Sequence, residues 1–186
     1  MEVSIDCADH LLKLLYAPSL YIDRSYLAML PNKSMTFSNQ IINYWVIKYF
    51  KLEDIQCDFF LKKTDNLTLF LIRNWFLLPK VALLIGGYFS RNIFIGEHLF
   101  STHPAVLKFM SLPLYYQIAP GILTQNNIMA NGIAFIRDLC ITLPSALRQR
   151  FYLCFPKDIV CPELNAPRTP ENINFLKMAF SYAKNM

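Results

Sequence analysis

The chain has 186 residues, 54% of them hydrophobic, with 15 Phe, 10 Tyr and only 17% charged residues. This composition excludes intrinsic disorder, because burial of that much apolar surface offsets the entropy of ordering, and the length suits one domain with a real core. Net charge is +5, from 18 Lys+Arg against 13 Asp+Glu, but the basic residues are scattered, and without a basic stripe or a known motif nucleic acid is not an expected partner.

In chain order, Asp6 or Asp9 is placed to cap a first helix running to about Tyr16, with Leu11, Leu12, Leu14 and Leu15 on its apolar side. Ala17-Pro18 ends it, since the residue before proline is pushed out of the helical region. A short element follows over 23–30, capped by Asp23 and closed by Pro31-Asn32. Ser38 caps a helix from 39 to about 50 whose apolar positions are Ile41, Ile42, Trp45, Val46 and Tyr49. The stretch 51–63 is ambiguous, with 57–61 readable as a short extended piece that lacks a partner strand. Asp65 caps a helix through Leu78, and Pro79 suits the first position of another, which Gly86-Gly87 is expected to end. Ser90 caps a helix to about Phe100, and Pro104 starts a short one to Met110. Pro113, Pro120 and Gly121 mark a loop. A long helix is predicted over 125–142, with Ile128, Met129, Ile133, Ile136, Leu139 and Cys140 facing the core. Pro144 begins a helix through Leu153, Phe155-Pro156 breaks it, and 162–168 reads as irregular. Thr169-Pro170-Glu171 opens a last helix to about Ala183. The prediction is an all-α fold, a compact single-domain bundle of about eight or nine helices over residues 1–186.

Residues 67–89 are apolar over a length that could span a bilayer. Arg73, Asn74, Pro79 and Lys80 lie at the centre of that stretch, where a charge costs about 3 kcal/mol and proline breaks the backbone ladder. Two consecutive core helices meeting at Leu78-Pro79 explain it better, and no membrane span is predicted. The nine residues at the N-terminus carry acids where a secretory leader needs a basic and then an apolar region, so export by that route is not expected.

Catalytic chemistry finds no foothold. The five cysteines (Cys7, Cys57, Cys140, Cys154 and Cys161) are odd in number and none is spaced Cys-x-x-Cys, which fits a reducing compartment and free thiols, with Cys140 and Cys154 read as core. His10, His98 and His103 include no pair on one helix face, and Glu97-His98 lacks the second histidine of a zincin helix, so no metal site is expected. There is no Gly-rich phosphate loop and no Gly-x-Ser-x-Gly elbow. Neither an enzyme nor a cofactor is predicted. The apolar excess points to exposed partner surfaces.

Three stretches in order carry a resemblance: YAPSLYIDRSYL at 16–27, LTLFLIRNW at 67–75 followed by LPKVALLIG at 78–86, and LPSALRQRF at 143–151 ending in CFP at 154–156. A weaker AFSYA lies at 179–183. Together they resemble the OrgA/MxiK (SctK-type) family of accessory proteins of bacterial type III secretion systems. The resemblance implies a helical, non-enzymatic cytoplasmic adaptor of the sorting platform, at the cytosolic face of the inner membrane. It would link the cytoplasmic forkhead-associated-like domain of the inner-membrane ring protein to the pod protein, and through that to stator and ATPase, supporting effector secretion. The alternative is a type III secretion chaperone or another helical protein-binding module. Within the motifs, Leu67, Leu71, Trp75, Leu78, Val81 and Leu84 have core spacing, and the Trp75 indole N–H then needs a partner. Trp75, Pro79, Leu143, Pro144 and Phe151 are the expected structural residues. Tyr21, Tyr26, Arg73, Arg148 and Arg150 are the candidates for partner contact, since tyrosine and arginine are favoured at interfaces.

Overall fold

A computed structural model of the chain describes residues 5–29, 37–55, 65–91, 104–113 and 127–186. All regular structure among them is helical. The chain divides into two compact units, Met1–Phe76 with Thr142–Asp158 and Leu77–Ile141 with Ile159–Met186.

The first unit holds α1 (Ile5–Tyr16), α2 (Arg24–Leu27), α3 (Asn39–Tyr49), α4 (Asn66–Asn74) and α8 (Ser145–Leu153). The described part of α1 runs from Ile5, so Asp6 and Asp9 fall within the helix and not ahead of it. Leu11, Leu14 and Leu15 are buried as predicted, but Leu12 faces outward. Three caps fall where the sequence placed them: Asp23 accepts from Ser25 N, Ser38 from Ile41 N, and Asp65 from Leu67 N and Thr68 N. The helix begun at Asp65 ends at Asn74, not at Leu78, and continues as a 3-10 turn, Trp75–Leu77. α1 packs on α4, α8 and α3, and α3 also rests on a 3-10 turn at Pro18–Leu20. Ile22, Val46 and Leu153 form a small core with Tyr21, Tyr26, Trp45 and Phe50 against it.

The second unit is built around α5 (Leu78–Ser90), flanked by α6 (Pro104–Met110), α7 (Ile128–Leu139) and α9 (Pro170–Ala183). Pro79 sits in the first turn of α5, where its missing N–H costs nothing. Gly86-Gly87 does not end that helix, which runs on to Ser90. The reason is tertiary: a Cβ on Gly86 would run into the carbonyl of Ile128, and one on Gly132 into the carbonyl of Ala82. The two glycines let α5 and α7 touch backbone to backbone, so they serve packing and not termination. Ser90, expected as a cap, is buried inside α5 and accepts a hydrogen bond from Asn131 Nδ2 at 3.1 Å. α7 starts at Ile128 behind the cap Asn127 and is shorter than predicted. Thr169 caps α9, which ends at Ala183 as expected. Tyr88, Phe89, Phe109, Phe135 and Phe175 meet edge-on or tilted, as in Tyr88–Phe175 at 5.2 Å and Phe89–Phe135 at 5.3 Å. The readings for Pro31-Asn32, 56–63, the helix from 91 to 100 beyond its first residue, and the loop prolines past Pro113 lie outside the described residues.

One helical run, Asn66–Ser90, is long and apolar enough to cross a membrane by length and composition, and half of its most apolar window is buried. Leu67, Leu71 and Trp75 belong to the core of the first unit, and Leu78, Val81 and Leu84 to that of the second.

Candidate interaction surface

The end of α1 sets the local chemistry of the first unit. A helix leaves its last carbonyls without partners. The amide that would serve Leu14 O belongs to residue 18, a proline, which has no N–H. The amide that would serve Leu15 O belongs to Ser19, and it donates instead to Asn43 Oδ1 on α3 at 2.8 Å. Both orphaned carbonyls are met by side chains. Tyr21 Oη donates to Leu14 O at 2.7 Å, Arg150 Nε donates to the same oxygen at 3.1 Å, and Arg150 Nη2 donates to Leu15 O at 2.9 Å. Arg150 Nη1 donates to Glu53 O at 2.7 Å and to Ala146 O at 2.9 Å.

Arg150 is 0% exposed. The expectation that it offers a surface guanidinium is therefore corrected: its fork ties α1, α8 and the segment at Glu53 together, a use that rigid five-donor geometry permits. Burial lowers its pKa, against which Tyr21, Asp54 and Tyr16 raise it. Burial in turn raises the Tyr21 phenol, with the Arg150 guanidinium opposing. Glu53 completes the tie, accepting from Ser145 Oγ and, at 3.1 Å, from Gln149 Nε2.

The other candidates scatter. Tyr26 is half-buried, its Oη 3.4 Å from Tyr152 O, and its ring meets Phe50 edge-on at 5.4 Å. Arg73 on α4 and Arg148 on α8 are exposed. Trp75, Leu143 and Phe151 are buried, and Pro79 and Pro144 are half-buried. Among the described residues the Trp75 indole N–H has no hydrogen-bonding oxygen or nitrogen, contrary to the expectation of a partner. It lies near Cys154 Sγ instead: burial drives that thiol's pKa up and the indole N–H acts in the opposite sense. Sulfur is a weak acceptor, so this is a soft contact and not a satisfied bond.

The surface that stands out is the outer side of α3. Of its residues only Val46 is buried. Ile41 and Tyr49, two of the helically spaced apolar positions, are each 52% exposed, and Tyr44 is 67% exposed. Trp45 stacks on Tyr49 with centroids 4.6 Å apart, and Tyr49 meets Phe50 edge-on at 5.0 Å. The Lys48 ammonium lies 5.9 Å above the Tyr44 ring. Sequence reading counted Trp45 and Tyr49 with Ile41, Ile42 and Val46 as apolar positions of helical spacing and did not include Tyr44. The signal it had available was their breadth, since Ile41, Tyr44, Trp45 and Tyr49 cover more of a helix than one packed neighbour can bury.

In the second unit a recess of about 330 Å³ is lined by Ala105, Lys108, Ser181, Tyr182 and Asn185. Ser181 Oγ and Asn185 Nδ2 already donate to the carbonyls of Lys177 and Ser181, which leaves few groups to fix a small ligand. Among the described residues no group of three or more His, Cys, Asp or Glu gathers as a metal site would require.

Comparison with known proteins adds the following. The family model for the bacterial type III secretion apparatus protein OrgA_MxiK matches residues 11–185. The protein YgeO of Escherichia coli strain K12 is 35% identical over 91 residues, which cover 46% of this chain and 64% of that relative. The match thus spans just under two thirds of the length of that curated relative. No solved structure matches the chain.

Proposed function

The chain belongs to the OrgA/MxiK family of bacterial type III secretion apparatus proteins, and from that premise we propose that it is a non-enzymatic adaptor of the sorting platform. In this reading it links the cytoplasmic domain of the inner-membrane ring protein to the pod protein, and so holds the stator and ATPase in place for effector secretion. The family match over nearly the whole chain carries the proposal. The exposed aromatic side of α3 supports it, because an adaptor works by contact and must keep apolar surface in reserve for its partners.

The reading places the protein in the cytoplasm at the inner membrane without a span of its own. Arg73 and Lys80 are exposed within the apolar run, where a bilayer would charge heavily for each. The test is reciprocal coprecipitation of the full chain with the pod protein and with the ring protein's cytoplasmic domain, beside a deletion strain. Capture of both, with loss of platform assembly and effector secretion on deletion, is the expected result. Normal secretion from a strain lacking the chain would sink the reading.

A further inference from the structure

α3 is lightly anchored for its length. Of its eleven residues only Val46 is buried, whereas α8 buries five of nine. Val46 meets Ile22 and Leu153 in a small cluster, with Ile42, Trp45, Phe50 and Leu52 partly buried against it. Two polar ties add to that hold. On α3 itself, Asn43 Oδ1 accepts from Ser19 N at 2.8 Å. Just past α3, Glu53 is bound to α8 through its N–H, its carbonyl and its side chain. The N–H donates to Gln149 Oε1 at 2.8 Å, and the carbonyl accepts from Arg150 Nη1 at 2.7 Å. The carboxylate accepts from Gln149 Nε2 at 3.1 Å and from Ser145 Oγ.

The chain reaches that catch through a strained turn. Lys51 has φ of 49°, a left-handed conformation that a residue with a Cβ resists and that persists only where its surroundings impose it. Leu52 N donates to Ile47 O at 3.0 Å across the turn. The residues after α3 are thus bent against their own preference onto α8. Glu53 is exposed, so water competes for the bonds of its carboxylate.

We propose that α3 and the strap behind it, residues 39–55, form a flap that opens as one piece while α1, α4 and α8 stay folded, with Glu53 as its catch. Segments with few buried apolar contacts and exposed hydrogen bonds are the ones that open at less cost than global unfolding. Opening releases the strain at Lys51, frees Glu53 from α8 and bares Ile22 and Leu153. The first unit thereby has a closed state and a rare open state that offers an apolar site.

Native-state hydrogen exchange of the full chain, read by mass spectrometry on peptides covering each helix, tests it. Amides over 43–50 are expected to exchange together, about tenfold or more faster than those of α1 and α8. Glu53→Ala removes the carboxylate but not the backbone groups, and should speed those amides about tenfold while leaving α1 and α9 unchanged. Lys51→Gly relieves the turn and should slow them severalfold. These opposite signs separate a flap from a general loss of stability. Protection over 43–50 equal to that of α8, acceleration of every helix alike in Glu53→Ala, no acceleration in that variant, or faster exchange in Lys51→Gly would each overturn the proposal.

Discussion

At the scale of single residues, Arg150 shows how far a side chain's role can lie from its type. An arginine on a short helix beside Arg148 reads as surface, yet Pro18 removes one amide and Asn43 diverts another, and the two orphaned carbonyls of α1 draw the guanidinium inward. A buried arginine that donates to the carbonyls of Leu14, Leu15, Glu53 and Ala146 is hard to replace, because removal leaves several acceptors dry. Arg150→Met is expected to cost about 3 kcal/mol in urea denaturation, with Arg150→Lys intermediate, since lysine keeps the charge but not the fork. A loss within about 0.5 kcal/mol, the range of ordinary surface changes, would show the tie to be dispensable. The half-buried Tyr21 phenol and the buried Cys154 thiol give a pH dependence of definite sign. Their folded pKa values lie above the ordinary 10.0 and 9.0, so the folded state retains protons that the unfolded chain releases. Their contribution is complete below pH 9 and declines as pH rises past each ordinary value. The melting temperature should fall above about pH 9, and Cys154→Ala should remove the first part of that decline.

At the scale of elements, most helix starts were legible and several of the ends were not. Asp23, Ser38, Asp65 and Thr169 cap helices through bonds to amides two or three residues on. Such signals are local and can be read from the chain. Gly86-Gly87 misled for the opposite reason: a glycine after an apolar run ends a helix only if nothing packs on it, and here α7 does. Gly86→Ala and Gly132→Ala should each cost about 2–3 kcal/mol by forcing α5 and α7 apart. Gly87→Ala should cost less, because its Cβ would meet side-chain atoms, with Val106 Cγ1 at 2.7 Å, and side chains move more readily than backbone. Thermal denaturation of the three variants checks the order, and equal losses would contradict it. The side of α3 was misjudged because periodicity finds a stripe without saying how much of it a neighbour covers.

At the scale of the molecule, the chain passes between its two units three times, after Phe76, Ile141 and Asp158. Neither unit is one continuous segment: the first is complete only at Asp158, after Leu77–Ile141 of the second, and the second only after all of the first. We propose that the two behave as one domain in solution and unfold in a single transition. Coincident loss of far-ultraviolet and near-ultraviolet circular dichroism is the expected result, and two separated transitions would show independent units. Distance along the chain explains why Arg150 in the LPSALRQRF stretch was read as a partner contact: its acceptors at Leu14, Leu15 and Glu53 lie about a hundred residues or more away.

By itself the sequence determined the all-helical class, most helix starts and, through ordered motifs spread along the chain, the family, because capping chemistry, apolar period and motif order are properties of neighbouring residues. Only the tertiary structure decided that Arg150 is a buried tie, that Gly86 and Gly132 join two helices, and that Ile41, Tyr44 and Tyr49 of α3 are exposed. Those outcomes depend on which backbone groups are left without partners and which faces find a neighbour, and both are settled between residues far apart in the chain.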